Sequence, residues 1–163
     1  SASTYNVTIT FSGGAGMLYL DAIQVLDGFN TALTPSPTRY EEDHTALTYA
    51  PANFWANMPW SGFSGGDAIY VSDAGGLLQV AFQGDTITLY TLTYSQGSPD
   101  VRFCEMRSGA DNRCGTFSLN TAITGTQVPI TLYGFGAGEN LLIIENLTDG
   151  TALWVDAIEI YAP

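Results

Sequence analysis

Short runs of β-forming residues alternate with glycine-containing turns along the whole chain, and this alternation limits the fold more than any other feature. The turns include Gly65-Gly66 and Gly75-Gly76. The runs predicted as strands are residues 5–12, 17–26, 46–49, 68–72, 77–82, 86–94, 101–106, 114–119, 128–135, 140–145 and 153–161. Short strands at regular intervals, separated by glycine-rich turns, are typical of antiparallel sheets packed face to face. The sequence therefore predicts an all-β chain folded as an antiparallel β-sandwich or jelly roll.

The chain carries a near-duplicate of its own C-terminal segment close to its N-terminus. Residues 6–26 read NVTITFSGGAGMLYLDAIQVL and residues 140–161 read NLLIIENLTDGTALWVDAIEIY. Each copy alternates β-forming and polar residues around a glycine-containing turn, which predicts a β-hairpin. The second copy can be the last hairpin of the sandwich, whereas the first is an additional N-terminal hairpin. Because an isolated two-stranded hairpin is only marginally stable in water, the first copy needs a partner surface.

One boundary divides the chain. Residues 27–38 read DGFNTALTPSPT, and their two prolines make this stretch extended and semi-rigid. The sequence therefore predicts an N-terminal hairpin with its linker over residues 1–34 and a β-sandwich domain over residues 39–163.

The charge balance argues against two classes of partner. The 163 residues include 16 Asp and Glu against four Lys and Arg, for a formal net charge of −12. Such a surface repels nucleic-acid phosphates and anionic membranes. No apolar run approaches the roughly 18 residues of a membrane span. Since only 12% of the residues are charged, the composition is typical of secreted or cell-surface β-proteins, and we expect an extracellular location.

Two cysteines flank a turn-like segment. Cys104 and Cys114 lie on strands predicted to pair across a hairpin, which would bring them face to face. A disulfide there would stabilise the fold by about 2.5–3 kcal/mol on the loop-entropy model. The alternative is a pair of reduced, buried thiols.

The body of the chain resembles a known family. The matching segments are RYEED at residues 39–43, SGG at 64–66, LQVAFQG at 78–84 and LWVDAIEI at 153–160. This pattern resembles the carbohydrate-binding-module-like β-sandwich (jelly-roll) domains of bacterial secreted and cell-surface proteins, of the tandem-repeat type. In such arrays a VDA-containing strand ends one copy and an RYEE strand opens the next. Residues 1–38 therefore look like the tail of a preceding copy.

The resemblance implies a structural calcium ion. Related jelly rolls hold calcium between an acidic first strand and the last strand, and the matching positions here are Glu41, Glu42 and Asp156. Calcium takes six to eight oxygen ligands, so backbone carbonyls or water would complete the set. The alternative is a solvated acidic start, with Asp156 acting as a cap or pairing with Arg39.

The aromatic segment 51–66, predicted as a loop, offers a sugar platform. Sugar rings stack their C–H faces on exposed aromatic rings while polar groups take the hydroxyls. Trp60 is the best candidate, helped by Asn57 and Tyr94. In the alternative, Trp60 packs under its own loop. Trp55 is expected in the core.

Two functions follow from these features, and neither is enzymatic, because the chain carries none of the familiar catalytic motifs. The first is an extracellular structural subunit that self-associates through its N-terminal hairpin by strand addition, forming a filament or array. The assembly residues would be Asn6, Val7, Ile9, Phe11, Leu18, Leu20 and Ile23. The second is a carbohydrate-binding module of a larger secreted protein, with a polysaccharide as partner. The unexplained hairpin favours the first function; a third possibility is that it folds back onto its own sandwich.

Overall fold

The computed structural model describes residues 37–107, 111–136 and 138–161. The predicted N-terminal hairpin, its linker and the assembly residues from Asn6 to Ile23 lie outside the described residues, so the assembly hypothesis stays a prediction. No helix in the described part of the chain has the length and hydropathy that a membrane crossing requires.

The described residues form antiparallel strands and one short 3-10 helix, η1 (Ala52–Phe54). The strands are β1 (Thr38–Glu41), β2 (Leu47–Ala50), β3 (Trp55–Pro59), β4 (Asp67–Val71), β5 (Leu77–Gln83), β6 (Thr86–Thr93), β7 (Val101–Met106), β8 (Arg113–Phe117), β9 (Gly125–Tyr133), β10 (Glu139–Asn146), β11 (Leu153–Val155) and β12 (Ala157–Tyr161).

The strands are arranged in three sheets. A five-stranded sheet has the order β2-β5-β10-β7-β8, a four-stranded sheet has the order β1-β12-β6-β9, and a small sheet has the order β11-β4-β3. Alternating burial along β5 and β10 sends Leu78, Val80, Leu142 and Ile144 into the core. This alternation is the pattern of strands that have one face in a sandwich core. The predicted antiparallel β-sandwich is confirmed.

The predicted loop 51–66 is wrong in its first half, where η1 and β3 lie. β3 pairs with β4, and Asn57 stands opposite Ile69 in the register. Most of β3 is solvent-exposed at the edge of the small sheet, so its sequence lacks the apolar alternation that identified the other strands. Backbone pairing with β4 is therefore what makes this segment a strand.

The predicted C-terminal hairpin over residues 140–161 is also wrong. β10 pairs with β5 and β7, whereas β12 pairs with β1 and β6 in another sheet. The predicted single strand over residues 153–161 is interrupted at Asp156, whose backbone N–H donates to the carbonyl oxygen of Tyr90 (3.0 Å). The chain changes sheets at this residue. Residues 140–161 therefore hold three strands, β10, β11 and β12, each in a different sheet, and not a hairpin.

The predicted disulfide is confirmed. Cys104 on β7 and Cys114 on β8 stand opposite each other in the register and are bonded. In the next pair of that ladder, Glu105 stands opposite Arg113. The two Arg113 nitrogens that face Glu105 donate to its two carboxylate oxygens at 2.7 and 2.6 Å.

Candidate functional site

Strand register brings three acidic residues together at one end of the four-stranded sheet. β1 pairs with β12 so that Glu41 faces Ala157, the residue that follows Asp156. Glu42 comes directly after the end of β1. Asp156 is the single residue between the end of β11 and the start of β12. The structure thus places Glu41, Glu42 and Asp156 in one cluster, as the resemblance implied.

The carboxylates of this acidic cluster are close and incompletely satisfied. One ligand oxygen from each of Glu41, Glu42 and Asp156 lies within 4.8 Å of the others. Glu42 is 3% exposed and Asp156 is 0% exposed. One oxygen of each side chain is buried and has no hydrogen-bond partner among the described residues: Glu41 Oε2, Glu42 Oε2 and Asp156 Oδ2. Buried carboxylate oxygens without a partner are costly, so this arrangement calls for a proton or a cation.

The turn before β4 supplies the donors that orient the cluster. The Ser64 backbone N–H donates to Asp156 Oδ1 (2.8 Å), and the Ser64 hydroxyl donates to Glu41 Oε1 (3.0 Å). Gly65 adopts a φ of +68°, in the left-handed region that favours glycine. This is a physical role for the SGG segment that sequence reasoning noted but did not explain. Ser64 is a site residue that it missed.

Burial raises the pKa of two members of the acidic cluster. Burial is the largest cause at Glu42, and the neighbouring carboxylate of Asp67 adds to it, so the pKa of Glu42 rises to about 7. Burial also raises the pKa of Asp156 to about 6, although the Ser64 N–H opposes the shift. Both shifts have the direction expected when charged carboxylates lose water and gain too few partners.

The alternative interpretation of the acidic residues holds only in part, since Asp43 is exposed and Asp156 accepts the Ser64 backbone N–H as a cap would. Glu42 is buried rather than solvated. Arg39 forms its ion pairs with Glu41 and Glu159, each at 3.0 Å, rather than with Asp156. The remaining oxygens fit a hard cation such as calcium, which takes carboxylate ligands in an irregular oxygen shell. That calcium is bound stays a prediction.

The exposed Trp60 is the first residue of the β3–β4 connection. It is 45% exposed, and its backbone N–H donates to the Gly66 carbonyl (2.8 Å). Its indole packs against Gly62, where an added Cβ would lie 3.3 Å from three ring atoms. The ring of Phe63 meets it edge-on, with a centroid distance of 5.1 Å. The indole is thus supported from beneath and from one side while much of it faces solvent.

The two residues predicted to assist Trp60 lie in different surroundings. Tyr94 packs edge-on against the buried Trp154 (6.5 Å), which in turn stacks on Phe63 (5.7 Å). Trp60 and Tyr94 are therefore two members of one aromatic cluster. Asn57 lies on β3, and its amide donates to Asp67 Oδ2 (3.0 Å). All three residues stay predictions as sugar contacts.

A cleft that sequence reasoning missed lies between β2 and β3. Its volume is about 520 Å³. The rings of Tyr49 and Trp55 meet there at 4.7 Å with a tilt of 56°. The other lining residues are Leu47, Thr48, Ala52, Ala56, Asn57 and Ile69. Trp55, expected in the core, is half-buried and lines this cleft. In the sequence, the feature that could have indicated the cleft is the presence of Tyr49 and Trp55 on either side of Pro51.

Comparisons with solved structures identify the fold. The catalytic domain of a GH87 α-1,3-glucanase in complex with tetrasaccharides is similar at a TM-score of 0.53 and 14% identity, over 78% of this chain and 28% of that one. Insecticidal crystal protein Cry2Aa gives 0.52 and 17%, over 76% and 21%. A family 35 carbohydrate-binding module from Clostridium thermocellum gives 0.48 and 22%, over 77% and 98%. No protein-family model and no curated protein matches the sequence.

These likenesses concern the fold. The jelly-roll fold implied by the sequence resemblance is confirmed. The chain spans less than a third of the glucanase domain and of the crystal protein. Since one sandwich fold hosts many unrelated functions, the function of this chain has to be argued from its own surface.

Proposed function

We propose that this chain is a non-catalytic carbohydrate-binding module of an extracellular protein, and that the supported indole of Trp60 is its sugar platform. Trp60 carries the proposal because it is a large aromatic side chain that remains 45% exposed. A stacking platform gains most when the ring is already held in its binding orientation, since little side-chain entropy is then lost on binding.

The contacts of Trp60 provide that orientation. Gly62 lies against the indole, and Phe63 buttresses its edge. Phe63 is itself buried and stacks on Trp154. The exposed ring is thus connected through two further aromatic rings to the interior, as a platform that bears a ligand requires.

The comparisons and the disulfide are consistent with this proposal. The glucanase catalytic domain, 28% of which is similar to this chain, is in complex with tetrasaccharides. The bond between Cys104 and Cys114 fits an oxidising, extracellular compartment. The paired carboxylates of the acidic cluster are buried rather than set in an open cleft, which argues against their use as a glycosidase pair.

The experiment is a polysaccharide and glycan-array screen with the whole chain, followed by titration calorimetry on the best ligand. Trp60→Ala is expected to weaken binding at least tenfold. Tyr133→Ala is the matched control, because Tyr133 is also a large exposed aromatic residue, at 67%, and should bind as the unaltered protein does. Failure to retain any glycan, or equal loss in both variants, would overturn the proposal.

The proposal includes a structural calcium ion held by Glu41, Glu42 and Asp156. The three unpartnered oxygens support it, since a divalent cation would neutralise carboxylates that otherwise repel one another in a buried space. The ion would join the end of β1 to the start of β12 and to the turn that carries Ser64. Its role would be to hold the start of the domain to its end, with no part in catalysis.

A further inference from the structure

We infer that the cleft between β2 and β3 is a second carbohydrate subsite, which holds a single neutral pyranose ring between the side chains of Tyr49, Trp55 and Asn57. The inference rests on the proposed function, but it concerns a different surface from Trp60. β2 is the edge strand of the five-stranded sheet and β3 is the edge strand of the small sheet. The cleft therefore lies between two sheet edges. Neither edge is paired with a further described strand.

The size and lining of the cleft fit a small ligand. Its volume of about 520 Å³ falls within the roughly 300–1,000 Å³ of small-molecule sites. Leu47 and Ile69 supply an apolar floor, and the tilted rings of Tyr49 and Trp55 supply an aromatic wall. A pyranose ring presents an apolar C–H face and a polar edge, so it needs this combination of surfaces.

The polar groups of the cleft are placed to accept and donate hydrogen bonds. The Asn57 Nδ2 group donates to Asp67 Oδ2, which orients the Asn57 carbonyl oxygen as an acceptor for a sugar hydroxyl. The Trp55 indole N–H lies 3.5 Å from the Ala50 carbonyl oxygen, a long contact that a ligand oxygen can replace.

Hydrogen bonds to Glu42 and Asp67 hold two of the residues that line the cleft. The Tyr49 hydroxyl donates to the Glu42 backbone carbonyl (2.8 Å), and the Asn57 amide is held by Asp67. Two of the three proposed contact residues are thus fixed before ligand arrives, which lowers the entropy cost of binding.

Charge selects the class of sugar. The net charge of the chain is −12, and the Asp67 carboxylate accepts a hydrogen bond from Asn57, which lines the cleft. An acidic sugar would therefore be repelled both at long range and at the contact itself. A neutral hexose or pentose satisfies the aromatic wall and the amide without this penalty.

The test follows the indole N–H signals of the three tryptophans by proton–nitrogen NMR on the full chain, assigned with Trp55→Phe and Trp60→Phe. The probes are methyl glycosides of glucose, galactose, mannose and xylose, with methyl glucuronide as the acidic comparison. At least one neutral glycoside should shift the Trp55 signal saturably, and the glucuronide should not. A shift confined to Trp60, or an equal response to the glucuronide, overturns the inference while leaving the proposed function in place.

Two exposed positions provide variants that do not disturb the core. Ala52 lines the cleft and is exposed, and Ala122 is exposed on the β8–β9 connection. Ala52→Phe and Asn57→Ala should each weaken the glycoside response of Trp55 at least tenfold, whereas Ala122→Phe should not change it. Unchanged binding in Ala52→Phe and Asn57→Ala contradicts the inference. A Trp55 shift that follows protein concentration instead of glycoside concentration also overturns it, in favour of contact between copies of this chain.

Discussion

Two regions of this domain bury carboxylates, and they do so in opposite ways. Glu105 on β7 is 0% exposed, and Arg113 covers both of its oxygens with hydrogen bonds of 2.7 and 2.6 Å. Glu42 and Asp156 are buried to the same degree, but each keeps an oxygen without a partner among the described residues. Arg39, the cation beside the acidic cluster, is divided between Glu41 and Glu159.

The Glu105 carboxylate has all its oxygens paired, whereas the carboxylates of the acidic cluster do not. The hydrogen bonds of Glu105 raise the pKa of the Arg113 guanidinium, as expected for a matched pair. In the acidic cluster the pKa of two carboxyl groups rises instead, because burial removes water and no cation replaces it. The chain can therefore satisfy a buried carboxylate with its own residues, and it does not do so where the resemblance implies calcium.

The largest effect on stability is expected from breaking the ion pair between Glu105 and Arg113. Arg113→Met keeps an unbranched apolar stem but leaves the Glu105 carboxylate buried without a cation. Removing one partner of a buried ion pair costs about 3 kcal/mol of the free energy of unfolding. Urea denaturation at neutral pH measures this loss.

An exposed ion pair in the same sheet is the control. Arg102 pairs with Glu145. The two arginines are similarly exposed, 49% at Arg102 and 44% at Arg113, but the Glu145 side chain is 19% exposed whereas that of Glu105 is 0% exposed. Arg102→Met should change the free energy of unfolding by less than about 1 kcal/mol, since exposed pairs contribute little. Similar losses in the two variants would mean that Glu105 is not a buried carboxylate that depends on Arg113. Glu105 would then no longer differ from the acidic cluster in having its own cation.

The second effect concerns the acidic cluster and calcium. At a calcium concentration 100-fold above the dissociation constant, a single site stabilises the folded state by about 2.7 kcal/mol. Asp156→Asn should abolish this gain while keeping the hydrogen bond from the Ser64 N–H, which an amide oxygen can also accept. Urea denaturation with calcium and with a chelator measures both quantities.

A matched carboxylate variant keeps the calcium test specific. Asp149 is exposed and accepts a hydrogen bond from the Ala74 N–H (2.7 Å). Asp149→Asn should retain the full calcium response. If calcium stabilises neither the unaltered protein nor this variant, the proposed ion is absent and the buried carboxylates are satisfied by protons.

The sequence predicted the parts of this fold that depend on local pattern. Alternating burial in β5 follows from its sequence, in which Leu78, Val80 and Phe82 alternate with Gln79, Ala81 and Gln83. The clustering of Glu41, Glu42 and Asp156 came from the family resemblance, because more than a hundred residues separate the first two from the third and no local pattern connects them. Their proximity depends on the pairing of β1 with β12, which is a long-range contact.

The features that sequence reasoning missed also depend on long-range pairing. β3 is a strand because β4 lies beside it, not because its own residues alternate. The break at Asp156 exists because β11 and β12 belong to different sheets. The cleft at Tyr49 and Trp55 requires two edge strands from separate sheets to face each other. The sequence of neither strand predicts that arrangement.

The third effect is a pH dependence of the calcium-free protein. Glu42 and Asp156 have pKa values raised to about 7 and about 6, above those of an unfolded chain. Their contribution to stability is therefore complete at a pH below about 4 and is lost as the pH rises through 6 to 7. In chelator, the free energy of unfolding should fall by about 2 kcal/mol between pH 6 and pH 8.

The variant Glu42→Gln tests the origin of this pH dependence. It removes the titration with the higher pKa, so the fall between pH 6 and pH 8 should be reduced by at least half. A stability that rises over this pH range in the unaltered, calcium-free protein would contradict the assignment of these raised pKa values to the acidic cluster.

The smallest effect is expected at the turn beside the acidic cluster, which is compared with a turn remote from it. Gly65 and Gly150 both adopt a positive φ, of +68° and +74°, so an alanine at either position should cost about 1 kcal/mol. At Gly65 an added Cβ would lie 3.9 Å from Glu41 Oε2, which is ordinary contact, and at Gly150 it would meet nothing within 4 Å. Urea denaturation should therefore give equal losses for Gly65→Ala and Gly150→Ala, with the calcium response intact in both. A calcium response that is lost only in Gly65→Ala would mean that the cation needs the space above Gly65, and that Glu41 Oε2 is approached from that side.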